Sequence, residues 1–145
     1  MTDASETKTN PVIVVAGATG SGKSALALAL ARAFGGAIVN ADSQQVYREL
    51  RILTARPTAA EEAQVPHSLF GCLSASMRCS AGRWLGLALD AIAQIRRAGQ
   101  LPIVAGGTGL YLKALLEGIA EVPPVPPQAV RAALAPLADI GGEAL

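Results

Sequence analysis

The chain has 145 residues, of which 51% are hydrophobic and 3% aromatic, a length that suits about one domain. A globular protein with a core rich in Ala, Leu and Val is expected, with few rings on which bases could stack. Twelve basic and eleven acidic residues give a net charge of +1, which by itself points to no polyanionic partner.

The opening MTDASETKTN is polar, mixed in charge and without an apolar stretch. It reads as a loose cytosolic tail over residues 1–10, neither a secretory signal nor an anchor. PVIVVAG, ending at Gly17, is a β-branched run that reads as a fully buried strand. After a glycine-rich loop, KSALALALARAF is built of strong helix formers, and Gly35-Gly36 supplies a helix stop. AIVN, Ala37 to Asn40, reads as a second strand. Two parallel strands joined by a helix make a βαβ unit, whose hand the right-handed crossover rule fixes.

Thr58 and Glu61 have capping-box spacing, so a short helix is expected there, ending before Pro66. HSLFG, from His67, reads as a further strand. Ser80 is a candidate N-cap for a longer helix, AGRWLGLALDAIAQIRRA, closed by Gly99 with Arg96 and Arg97 suiting its last turn. LPIVAGG reads as another strand and TGLYLKALLEG as a helix up to Gly118. VPPVPP, Val122 to Pro127, interrupts regular structure and marks a boundary. QAVRAALAPLADI restarts a helical pattern, and the chain stops at Leu145 as if interrupted.

No apolar run approaches the ~18 residues of a membrane span, because Asp90 breaks the segment from Trp84 to Ile95. Cys72 and Cys79 are too few for a disulfide framework, and with His67 they match no zinc spacing. They read as buried reduced thiols. Between Arg48 and Arg97 seven arginines face four acids, an excess that a solvated surface also explains. The alternation of strand and helix predicts an α/β layer fold with a mostly parallel sheet.

Gly17, four residues, then Gly22-Lys23-Ser24 match G-x-x-x-x-G-K-[ST] between a predicted strand and a predicted helix. The whole loop, Gly17, Ala18, Thr19, Gly20, Ser21, Gly22, Lys23 and Ser24, is the candidate diphosphate- or nucleotide-binding segment. Its glycines let backbone N–H groups close around an anion and the helix adds its positive end. Lys23 brings a mobile charge, and the Ser24 hydroxyl is the candidate ligand of Mg2+. ATP, GTP or any other diphosphate presents similar oxygens to such a loop. Asp42 follows the second strand at the edge where parallel sheets bind ligands. Position alone leaves it open as a general base, a magnesium partner or a helix cap.

GATGSGKS, NADSQQVY, TARPT, VPHSL and GGTGLYLKALLEG occur in the order and at about the spacing of the tRNA dimethylallyltransferases, and the resemblance runs from about Val12 to Arg131. It implies a three-layer, P-loop NTPase-like α/β fold whose loop holds the diphosphate of dimethylallyl diphosphate. It implies transfer of the dimethylallyl group to N6 of an adenine next to the anticodon of tRNA. By the same resemblance Asp42, taking the N6 proton, and Thr108, at the reaction channel, are the catalytic residues, and Asp42, Ser43, Gln44, Gln45, Thr108 and Arg131 contact the tRNA. The adenine would be extruded into the pocket.

Gly71 and Cys72 occupy a segment where family members often carry an acid. Family enzymes are about twice this length. Residues 11–121 would then be the N-terminal part of a prenyltransferase core, with 122–145 beginning a helical insertion that is cut off. Such a fragment would be incomplete as an enzyme, cytoplasmic and monomeric. The rival readings are a P-loop kinase for a small molecule or nucleotide, an adenylate isopentenyltransferase, and a non-catalytic nucleotide- or RNA-binding fragment.

Overall fold

A computed structural model describes residues 11–120, 126–129, 131, 132 and 135. The tail at 1–10, residues 122–125 of the proline-rich boundary and most of the final helical stretch lie outside the described residues. In chain order the elements are β1 (Ile13–Ala16), α1 (Lys23–Phe34), β2 (Gly36–Asn40), a 3-10 turn (Arg48–Leu50), α2 (Ala59–Glu62), β3 (His67–Ser68), α3 (Ala81–Arg97), β4 (Leu101–Gly106) and α4 (Gly109–Glu117).

All pairings within the sheet are parallel, and the strand order is β1-β4-β2-β3. The two strands that flank α1 therefore do not touch. β4 lies between them, pairing Ile103 with Ile13 on one side and with Ile38 on the other. Parallel strands need covered faces, and alternation along β2 and β4 supplies both. Ala37, Val39 and Val104 pack with Trp84, Ala88, Ile92, Tyr111 and Leu112 of α3 and α4. Ile38 and Ile103 pack with Ala27 and Ala31 of α1 on the opposite face. The result is three layers, helix, sheet and helix.

Local signals set the helix ends. The Thr58 hydroxyl accepts from the Glu61 N–H at 3.2 Å while the Glu61 carboxylate accepts from the Thr58 N–H at 2.8 Å, so the capping box forms in full. Ser80 accepts from the Arg83 N–H at 3.2 Å. Gly35 stops α1, its N–H bonding to the Ala31 carbonyl. On the α3 and α4 side, Trp84 and Tyr111 stack with centroids 4.6 Å apart. The indole N–H donates to the Asn40 carbonyl at 2.9 Å, which lets a wholly buried Trp satisfy its one polar group.

Two expectations are corrected. β1 is not fully buried: Val15 is, but Ile13 and Val14 are half-buried and Ala16 is exposed. Among the described residues it is an outer strand with β4 as its partner, so one edge lacks cover. The thiols are not both buried either, since Cys72 is exposed and Cys79 half-buried, both free. β3 is the other outer strand and only two residues long, and the next residues, Leu69 and Phe70, pack against the core without extending the strand. No helix among the described residues is long and apolar enough to cross a membrane.

Close approach of β4 to the end of β2 makes Gly106 obligatory, because a Cβ there would overlap the Ala41 carbonyl group. Gly106→Ala should cost about 1–3 kcal/mol, the usual range for overpacking. Gly86→Ala, in α3 with open space around it, should instead stabilise by roughly 0.5–1 kcal/mol. Urea denaturation midpoints at constant m check both, and a Gly106→Ala protein as stable as the parent would contradict the packing.

Candidate functional site

β1, β2 and β4 all deliver their C-terminal ends to one edge of the sheet. β1 runs into the loop Gly17 to Gly22, in which Gly20 and Gly22 take φ values of 78 and 84°, a region side-chain-bearing residues avoid. No side chain caps α1 at Gly22, which leaves the positive end of the helix without a side-chain acceptor, a setting that suits an anion. Lys23 Nζ donates to the Ala18 carbonyl at 2.7 Å. One of the three ammonium donors thus holds the side chain over its own loop and two remain for a ligand.

A cavity of about 190 Å³ opens at this edge. Thr19, Gly20, Lys23 and Ser24 form its cationic end, and Asp42 stands in the same lining. Leu28, Ile38, Phe70 and Ala105 give it an apolar interior. Gln45, Thr54, Ala55, Glu61 and His67 also line it. His67 Nδ1 lies 2.8 Å from the Val65 carbonyl, a contact that places the ring proton on Nδ1. Glu61 has its carboxyl held below the ordinary range, chiefly by the Thr58 N–H and then by the Thr58 hydroxyl.

The remaining sequence-predicted residues divide by what they touch. Asp42 Oδ1 accepts from the Gln44 N–H at 2.8 Å and from the Gln45 N–H at 3.4 Å. The carboxylate is therefore a turn cap with one oxygen, and its other oxygen has no hydrogen-bond partner among the described residues. Thr108 is not in the cavity lining. Its hydroxyl accepts from the Ser43 N–H at 2.8 Å and its own N–H donates to the Ala41 carbonyl at 3.2 Å, so it ties the exit of β4 to the exit of β2. The Gln45 amide donates to the Thr54 carbonyl at 2.8 Å, which holds the 51–57 loop at the cavity mouth. Gln44 is exposed and Ser43 half-buried, and Arg131 is exposed in a helical conformation.

Sequence reasoning passed over Asn40. It is fully buried, the one buried polar side chain of the core among the described residues. Its amide oxygen accepts from the Asp42 N–H at 2.9 Å, and its nitrogen donates to the carbonyls of Asp42 at 3.0 Å and Leu69 at 3.1 Å. An Asn two residues before an acid at a strand end is the pattern of an Asx turn, a signal present in NADS. Nearby, Gly71 leaves room for the Arg56 guanidinium, which occupies the space a Cβ would need. The Arg56 Nε is buried without a hydrogen-bond partner, in the segment that lacks an acid. Behind the Asp42 turn, burial pushes the Tyr111 phenol well above its ordinary range, and its hydroxyl donates to the Cys79 carbonyl at 3.2 Å. It stays a neutral phenol.

Comparison with known proteins places this geometry. The IPP transferase family model matches residues 45–145 and the isopentenyl transferase model residues 10–67. The chain is 58% identical over 135 residues to a tRNA dimethylallyltransferase of Rhodospirillum rubrum, covering 93% of this chain and 41% of the relative. It is 53% identical over 144 residues to that of Gluconacetobacter diazotrophicus, covering 99% and 43%. Among solved structures, the full-length tRNA isopentenylpyrophosphate transferase of Bacillus halodurans superposes with a TM-score of 0.75 at 31% identity, covering 92% of this chain and 44% of that one. A eukaryotic dimethylallyltransferase captured acting on tRNA gives 0.76 at 33% identity, covering 85% and 32%. The chain thus spans less than half the length of each of these relatives.

If the loop and Lys23 grip an anion, Lys23→Ala should weaken inorganic diphosphate binding at least about tenfold, ~1.4 kcal/mol, in a calorimetric titration. Unchanged affinity would contradict the role given to the loop.

Proposed function

Because the chain belongs to the IPP transferase family, we propose that this cavity is where a dimethylallyl group passes from dimethylallyl diphosphate to the exocyclic N6 of an adenine next to the anticodon of tRNA. One observation carries the reading: the phosphate loop and the Asp42 carboxylate line the same cavity, with an apolar interior that suits a hydrocarbon tail. The chemistry needs that combination. N6 is a weak nucleophile because its lone pair is delocalised into the ring, so it must lose its proton as it attacks.

In the proposed step N6 attacks the first carbon of the allylic chain. The bond from that carbon to the diphosphate oxygen breaks, and the leaving group departs with the electron pair. The N6 proton passes to Asp42, whose unpartnered oxygen is the acceptor while Oδ1 stays committed to the Gln44 N–H. Negative charge grows on the leaving diphosphate. The two remaining Lys23 donors and the N–H groups opening α1 therefore act most strongly in the transition state.

Ser24 lies exposed in the cavity lining and would hold Mg2+. Among the described residues no three His, Cys, Asp or Glu are grouped to cage a metal. Magnesium suits such a place, since it keeps several waters and takes its other oxygens from one or two protein groups and substrate phosphates. When bound, it supplies positive charge to the diphosphate.

The donor fills the cavity between loop and carboxylate, so the adenine must leave its stack to reach Asp42. Gln44, exposed on the turn beside Asp42, is free to meet the nucleotide. The Gln45 amide nitrogen is already spent on Thr54, leaving its oxygen.

Asp42→Asn in the full-length protein should lower prenyl transfer to tRNA about 10²- to 10⁴-fold, the range for a general base, with donor affinity kept within about threefold. Near-normal turnover would remove Asp42 as the base. Titrating the unaltered protein with ATP and with dimethylallyl diphosphate separates the main rival, since preference for ATP would favour a kinase.

A further inference from the structure

We infer that Asn40 is a positioning residue for this reaction, its carboxamide fixing the turn that aims the Asp42 carboxylate and tying that turn to the Leu69 carbonyl, one residue before Phe70 of the cavity lining. The inference rests on the proposed function. An amide buried to 0% exposure costs free energy unless fully bonded, and the sheet does not require one there. The backbone ladder around it closes without the side chain: the Ile38 N–H bonds to the Pro66 carbonyl at 2.9 Å and the Ala41 N–H to the Ala105 carbonyl at 2.8 Å.

The three bonds of the carboxamide go instead to the chain that makes the site. Both backbone polar groups of Asp42 are held by this one side chain, and the third bond reaches Leu69, next to the cavity residue Phe70. Leu69 keeps a φ of 65°, an uncommon conformation for a side-chain-bearing residue, and the Asn40 bond anchors it. Asp42 in turn pins Oδ1 on Gln44. With its backbone and one carboxylate oxygen fixed, the other oxygen has little freedom left. Misplacement of a reacting group by about 1 Å can cost on the order of 10²-fold in rate, so such a mount matters for a base that must meet N6 in a narrow cavity.

Asn40→Ala and Asn40→Ser in the full-length protein provide the test. Both remove similar volume from the core and share the cost of a small cavity. Ser alone keeps an oxygen able to accept from the N–H two residues on. Asn40→Ala should lower kcat by about 10- to 100-fold while KM for donor and tRNA stays within about threefold. Amide hydrogen exchange at Asp42 and Gln44 should quicken alongside. Asn40→Ser should recover kcat to within about fivefold of the parent. Emission from Trp84, the sole Trp, should be unchanged in both, because its partner is the main-chain oxygen of Asn40.

Equal loss in the two variants would assign the effect to the cavity and overturn the inference. So would an unchanged kcat in Asn40→Ala despite faster exchange. An unaltered protein that transfers no prenyl group to tRNA would remove the proposed function first and this inference with it, an outcome visible before any variant is made.

Discussion

A polar group sealed inside an apolar core must be bonded, and the way Asn40 is bonded decides where the chain goes after β2. Its carboxamide turns the backbone at Asp42, and Asp42 repeats the device one step later with its own carboxylate. Thr108 braces the same bend from the end of β4 through the Ser43 N–H. Trp84 reaches up from α3 to the Asn40 carbonyl, so the core under the bend is locked to the bend itself. The candidate base thus follows directly on fully buried residues, Asn40 and Ala41, although it is itself only half-buried, in the cavity lining.

The phosphate loop meets this mount by a different route. β1 carries it in, α1 leads away from it, and neither touches β2 through a strand ladder. What sets the spacing between cradle and carboxylate is the width of β4, the strand inserted between them. Gly106 allows β4 to end flush against Ala41. Gly107 lies close to the loop, where a Cβ would stand 3.0 Å from the Gly17 carbonyl oxygen. The first glycine of GGTG is therefore required by the contact with Ala41, and the second keeps the approach to the loop tight.

Features that depend on neighbours in sequence were legible from it: the glycine-rich loop between strand and helix, the Thr58 and Glu61 box, the Ser80 cap and the Gly35 stop. Their physics is local, one or two turns long. The features that escaped depend on which strands become neighbours. The strand order left β1 half-covered and put β4 in the middle, and periodicity carries no record of either. Gln45 looked free to meet a base, yet its amide nitrogen is taken by a carbonyl nine positions on, a fact set by the fold of the 51–57 loop. Thr108 also ties the exit of β4 to the Ser43 N–H, a contact between positions 65 apart that no local pattern announces. Asn40 reads as the last letter of a strand: its turn with Asp42 is local, but its bond to the Leu69 carbonyl lies twenty-nine positions on.

The central position of β4 also dictates when the site can exist. Ile103 must find Ile13 and Ile38, contacts separated by roughly ninety and sixty-five residues, and such distant pairings close slowly because the chain entropy is lost before the ladder compensates it. On the ribosome, a nascent chain that has emerged only as far as α3 holds the loop and the acid without the strand that spaces them. The glycine-rich loop and Asp42 would come to line a single pocket only after residues 101–106 have left the exit tunnel.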